Sequence, residues 1–137
     1  MEQIFADTSF FYALADRSDA HHERAKRFLV GNRSPLITSN FVFDELVTIA
    51  RYDFGLEIAE SMASSILSSK VCALLRIERE DEVSAWEIFR RFRDQDFSFT
   101  DCTSFSLMQR LGIEQAATID RHFSTMGFVA ALDLESS

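Results

Sequence analysis

Four carboxylates stand where a fold can bring them together. Asp7 closes the apolar run Ile4-Phe5-Ala6, Asp120 closes Ala116-Ala117-Thr118-Ile119, Asp101 follows Phe97-Ser98-Phe99-Thr100, and Glu45 lies in Phe43-Asp44-Glu45-Leu46. Carboxylates gathered in one cleft repel one another unless cations sit between them, and hard oxygen ligands of this kind suit Mg²⁺ or Mn²⁺. The chemistry this implies is metal-assisted phosphodiester hydrolysis, in which one ion lowers the pKa of a water and the same or a second ion stabilises the leaving oxygen. Each acid also has a plainer use. Asp7 can form an Asx turn at a strand end, Asp101 can complement a helix dipole, and Asp120 can cap a short helix at Arg121. Glu45 is harder to dismiss, because Phe41, Val42, Leu46 and Ile49 surround it with apolar neighbours, where an idle carboxylate is costly.

The elements that must position these acids follow from hydrophobic period and punctuation. Strands are expected at Gln3 to Ala6, Leu36 to Thr38, Val71 to Ile77, Ala116 to Ile119 and Phe128 to Leu132. Helices are expected over Phe10 to Ala15 behind Thr8 or Ser9, over His21 to Val30, and from a cap among Thr38, Ser39 and Asn40 to about Tyr52. Gly55 separates that helix from another whose stripe is Leu56, Ala59, Met62, Ala63, Ile66 and Leu67. Glu80 to Phe92 reads as amphipathic through Val83, Trp86, Ile88, Phe89 and Phe92; Thr100 is the expected cap of Asp101 to Leu111, and a short helix starts at Arg121. Strands alternating with helices argue for an α/β fold with a parallel sheet covered on both faces. Reactive groups in such sheets gather beyond the carboxyl ends of the strands, where Asp7 and Asp120 are placed.

Composition narrows the classes. The 137 residues fit one domain, 1–137, and 47% hydrophobic with only 4 Gly and 1 Pro is a globular composition. No run approaches the roughly 20 apolar residues that cross a bilayer, and the first residues do not have a secretory layout, so a soluble cytoplasmic protein is expected, without a membrane partner. Cys72 and Cys102 are too isolated for a metal knuckle or a redox pair, and are expected to be buried thiols. A net charge of −8 argues against passive binding to nucleic acid and in favour of binding through cations and a local Arg patch; all basic residues except Lys26 and Lys70 are Arg.

The ordered blocks Asp7-Thr8-Ser9-Phe10, Phe43-Asp44-Glu45-Leu46, Phe97-Ser98-Phe99-Thr100-Asp101-Cys102 and Thr118-Ile119-Asp120-Arg121-His122-Phe123, with Asp19, His22 and Ala25, resemble the PIN-domain nucleases. Among these they are most similar to the VapC group of toxin ribonucleases from bacterial toxin–antitoxin pairs. The resemblance covers about residue 3 to residue 131. It implies a three-layer α/β/α fold with a mainly parallel sheet, RNA cleavage, a homodimer and inhibition by a cognate antitoxin protein. It also implies that Asp7, Glu45, Asp101 and Asp120 form the catalytic quartet, with Asp7, Asp101 and Asp120 as ligands of Mg²⁺ or Mn²⁺ and the hydroxyls of Thr8 and Thr100 orienting them. A processing nuclease without an antitoxin and a PIN-like module that binds RNA or protein without cutting are the alternatives; the presence of all four acids argues against the second.

Other features have two uses. His22 reads as a structural hydrogen-bonder, and His122 as a candidate acid–base group near Asp120. Arg90, Arg91 and Arg93 read as a helix C-terminus complementing its dipole, with a phosphate contact as the second use. Asp96 reads as a solvated loop acid or a fifth member of the acidic group. Phe10, Phe11, Phe41, Phe54, Phe97 and Phe99 exceed what a small core needs, which leaves some for a dimer or antitoxin surface. An aspartyl phosphotransferase wants a second Asp where Ser9 stands, and a receiver domain wants a late Lys that this chain lacks.

Overall fold

The computed structural model describes residues 2–134. Strands β1 (Ile4–Ala6), β2 (Leu36–Ser39), β3 (Ala73–Leu75), β4 (Gln115–Ala117) and β5 (Val129–Ala130) form one sheet in the order β3-β2-β1-β4-β5. All four strand pairings are parallel. The chain steps outward from β1 to β3, then returns past β1 to β4 and β5. Right-handed crossovers in opposite directions put the connecting helices on opposite faces, which gives an α/β fold of three layers. The reversal falls between β1 and β4, and crevices in open parallel sheets form at such a switch point.

The connecting helices are α1 (Thr8–Ala15), α2 (His22–Gly31), α3 (Asn40–Phe54), α4 (Leu56–Leu67), α5 (Arg79–Arg91), α6 (Phe99–Leu111) and α7 (His122–Thr125), with a closing 3₁₀ turn at Ala131–Leu134. None of them is long and apolar enough to cross a membrane. The central strands are buried on both faces, and Phe5, Phe10, Phe105 and Phe123 are the largest side chains of the core. Phe105 meets Phe123 edge to face at 4.9 Å, which locks α6 to α7 and so fixes two of the acidic segments together.

Helix starts differ from the sequence expectation in an instructive way. Asp7 itself caps α1, accepting from the Ser9 amide, so the helix begins at Thr8 and not at Phe10. Ser98, not Thr100, caps α6, in a capping box with Asp101. Ser39 caps α3 through Val42 N–H, one of the three caps allowed by sequence. Gly55 and Gly112 end α3 and α6 at φ of +93° and +69°, a region costly for residues with a Cβ.

Several apolar runs are shorter as strands than they read. Of Val71 to Ile77 only Ala73–Leu75 pairs, because β3 is an edge strand that finds partners only along Ile37 to Ser39. Of Phe128 to Leu132 only Val129–Ala130 pairs before the chain turns. Strand β4 stops at Ala117 because the Thr118 hydroxyl takes the Asp120 N–H and turns the chain. Helix α5 faces inward through Asp81, Ala85 and Ile88, leaving Val83, Trp86 and Phe89 exposed. On α4 the inward residues are Ala59 and Ile66, while Leu56 and Leu67 face out. Phe10, Phe11 and Phe97 are core residues, so the surplus of aromatic side chains is smaller than expected. Both cysteines are free and buried, and burial pushes the Cys72 thiol up to about 11 and the Cys102 thiol up to about 12.

Candidate active site

Beyond the carboxyl ends of β1 and β4 opens a cleft of about 450 Å³ whose lining includes Asp7, Glu45, Asp101, Asp120 and His122. The four acids proposed from sequence therefore share one wall system. Three of them arrive there as helix-start residues. Asp7 caps α1, Asp101 is the acid of the α6 capping box, and Asp120 Oδ1 accepts from the His122 N–H at 2.9 Å as α7 begins. Helix N-termini carry partial positive charge, so this arrangement partly offsets the repulsion among the acids. Glu45 reaches the cleft from α3 and is half-buried.

Asp7 is almost fully buried at 3% exposure. Its Oδ2 accepts from Ser9 Oγ at 2.8 Å and from Thr118 Oγ1 at 3.1 Å. Ser9 Oγ in turn accepts the Ile119 N–H at 2.9 Å, and Thr118 Oγ1 accepts the Asp120 N–H at 2.9 Å. Each hydroxyl has one proton to give, and giving it to Asp7 fixes both rotors. The bonds that Asp7 accepts from Ser9 and Thr118 all use Oδ2. Burial, then the Asp101 charge, push the Asp7 carboxyl up to about 7; Ser9 and Thr118 oppose the rise and Asp120 adds to it. Asp101 is also raised, first by burial and then by Asp120, against the Ser98 N–H and His122.

Asp101 Oδ2 accepts from Ser98 N–H at 3.1 Å and lies 3.1 Å from His122 Nδ1. The same Nδ1 lies 3.1 Å from Asp120 Oδ2, and Asp101, Asp120 and His122 each present a ligand atom within 4.8 Å of the other two. Among the described residues, no Lys or Arg lines the cleft. Asp7 and Asp101, buried and raised in pKa, meet Asp120 and the His122 imidazole without a Lys or Arg beside them; a divalent cation supplies the missing counter-charge, and carboxylate oxygens are the donors such an ion prefers. The donor set thus fits a metal.

The two threonines named from sequence differ in placement. Thr8 lines the cleft and its buried hydroxyl has no hydrogen-bond partner among the described residues. Thr100 does not line it; its carbonyl accepts from Thr103 and Ser104. The hydroxyls that touch Asp7 belong to Ser9 and Thr118, which the sequence reading left out of the site. Both sit two residues from an acid, the spacing of local hydroxyl–carboxylate turns, and that was the available signal.

Asp96 is exposed at the rim of the cleft and also lines a neighbouring groove with Trp86, Phe89, Arg90 and Arg93. Arg93 Nε donates to the Arg90 carbonyl at 3.1 Å, the helix-end use expected of this patch. His22 Nδ1 bonds to the Ala13 carbonyl at 2.8 Å and ties α2 to α1.

Comparison with known proteins agrees with this geometry. The model of the PIN domain family matches residues 4–129. The chain is 37% identical over 126 residues to the 23S rRNA-specific endonuclease VapC20 of Mycobacterium tuberculosis, in each of two strains, covering 92% of this chain and 95% of the relative. The crystal structure of that VapC20, described as a sarcin–ricin loop cleaving toxin, superposes with a TM-score of 0.87 at 36% identity, over 92% of this chain and 96% of that one. FitAcB from Neisseria gonorrhoeae shares the fold, with a TM-score of 0.67 at 13% identity over 95% of this chain and 93% of that one.

Proposed function

The chain belongs to the PIN-domain family, and from that premise we propose that it is a metal-dependent endoribonuclease acting as the toxin of a type II toxin–antitoxin pair. The observation that carries this reading is the buried Asp7 carboxylate, pushed up to about 7 in a cleft shared with Asp101, Asp120 and Glu45 and lined, among the described residues, by no Lys or Arg. Such a site is unfavourable in a protein that only binds, and useful in one that loads a cation. A reading as a non-cutting module is disfavoured on that ground.

Asp7, Asp101 and Asp120 would hold Mg²⁺ or Mn²⁺, which when bound supplies an activated water and charge stabilisation at the leaving oxygen. Ser9 and Thr118 hold Asp7 Oδ2, which fixes the orientation of this cleft-lining carboxylate. Glu45, half-buried on α3 in the same lining, takes the role of proton acceptor from the attacking water. The RNA backbone approaches a protein of net charge −8, so its contacts depend on the cation and on the exposed arginines of the adjoining groove, Arg90 and Arg93.

The similarity to VapC20 supports 23S rRNA as the substrate; the reading places the toxin in the cytoplasm and has an antitoxin set a basic residue among the carboxylates, as the acidic cleft invites. A homodimer completes the reading, since Val83, Trp86 and Phe89 leave an apolar surface on α5. Expression of the chain alone is expected to arrest a bacterial host and fragment its 23S rRNA, Asp7→Asn to be harmless, and co-expression of the adjacent gene to restore growth. A harmless wild-type chain would remove the toxin assignment, and arrest with intact 23S rRNA would remove the substrate.

A further inference from the structure

His122 occupies a position among the acids that the carboxylate reading does not use. Its ring packs edge to face on Phe97, centroids 5.2 Å apart, and its side chain is only 16% exposed. Its backbone N–H is tied to Asp120 Oδ1. The imidazole is therefore held, and its Nδ1 points at Asp101 Oδ2 and Asp120 Oδ2, 3.1 Å from each. Donors roughly 2.1 Å from one octahedral ion stand roughly 3.0 Å apart when adjacent. The two His122 Nδ1 to carboxylate distances match that spacing, and the three ligand atoms lie within 4.8 Å of one another with the side chains already in place.

We propose that His122 is a metal ligand, forming with Asp101 and Asp120 a mixed nitrogen–oxygen set that favours Mn²⁺ over Mg²⁺. This rests on the metal-nuclease reading and deepens it. Mg²⁺ is bound through oxygen and keeps its waters, whereas Mn²⁺ lies further along the series in which divalent ions gain from imidazole nitrogen. With its proton on Nε2, the His122 ring presents the Nδ1 lone pair to the point where the two carboxylates converge. Exchanging His122 for an oxygen donor would keep the cation and change which cation is preferred.

The test is ion binding by the full chain without RNA. Calorimetry with Mn²⁺ and with Mg²⁺ gives the preference, and pulsed electron paramagnetic resonance of the Mn²⁺ complex reports a directly bound ¹⁴N. The wild type is expected to show nitrogen coupling. His122→Asn is expected to lose it, with the Mn²⁺ preference reduced roughly tenfold or more. His122→Asp is expected to bind either ion without nitrogen coupling, which separates loss of the ligand from loss of the fold. Bound Mn²⁺ without nitrogen coupling in the wild type, or an unchanged preference in His122→Asn, overturns the proposal and leaves the nuclease reading intact. Failure of the wild type to bind either ion overturns both.

Discussion

At the residue scale, Asp7 combines two uses that look like rivals in the sequence: it is the cap of α1 and an acid of the cleft. Its raised pKa has a sign that can be followed. Below about pH 4 the carboxyl is protonated in both states; between about 4 and 7 only the unfolded chain ionises, so the stability this group contributes is lost as pH rises toward 7. Asp7→Asn removes that cost. In EDTA the variant should melt above the wild type at pH 8, by an amount on the order of 2–4 kcal/mol, with the difference vanishing near pH 4. Thr118→Val removes a donor that holds the Asp7 pKa down, so the rise of activity with pH should shift to higher pH, with a loss of roughly 10–100-fold. A pH–rate profile checks this. The acids were legible in the sequence through their joint occurrence in order, since each alone has a plainer use as a turn, cap or dipole partner, a use that Asp7 and Asp101 do have. Ser9 and Thr118 each show a local signal two residues from an acid, but their meeting at Asp7 depends on the parallel pairing of β1 with β4, and no local spacing encodes a contact across 109 residues.

At the element scale, the position of Asp101 depends on how α6 is held, and α5 is its principal partner. Asp81 on α5 is buried and takes both Arg110 Nε at 2.7 Å and Arg110 Nη2 at 2.8 Å from α6. Burial pushes this carboxyl up, yet Arg110 and the Glu78 N–H outweigh it and hold the pKa below its ordinary value. The stability it contributes is present above about pH 4 and lost on acidification below that. Arg110→Ala should cost about 2–3 kcal/mol near neutral pH, less than a fully buried pair because Arg110 is one-third exposed, and urea unfolding measures it. This pair also explains why the face of α5 was misjudged. Val83, Trp86 and Phe89 belong with Ile88 to the apolar stripe of the sequence, but the ion pair and Ala85, packed at 0% exposure, turn the helix so that Ile88 faces inward and the other three do not. Helices were otherwise legible through their apolar period, while the edge strands β3 and β5 were overextended because an apolar run does not reveal where a pairing partner ends.

At the scale of the whole molecule, the parallel order β3-β2-β1-β4-β5 creates the crevice, and the fold turns four distant acids into one lining. The same turn of α5 leaves Trp86 stacked on Phe89, centroids 5.8 Å apart, at the surface. If a second copy covers this patch, light scattering should give about twice the 15.7 kDa chain mass, and Trp86→Glu should return the monomer. A monomeric wild type at micromolar concentration would contradict the dimer and leave the nuclease site untouched. The central claim is that these acids act by holding a divalent cation, and the direct measurement is cleavage of ribosomal RNA by the purified chain with and without metal. Cleavage should disappear in EDTA, return with Mn²⁺ or Mg²⁺, and remain absent in Asp101→Asn under every condition. Undiminished cleavage in EDTA, or full activity in Asp101→Asn, would contradict the account.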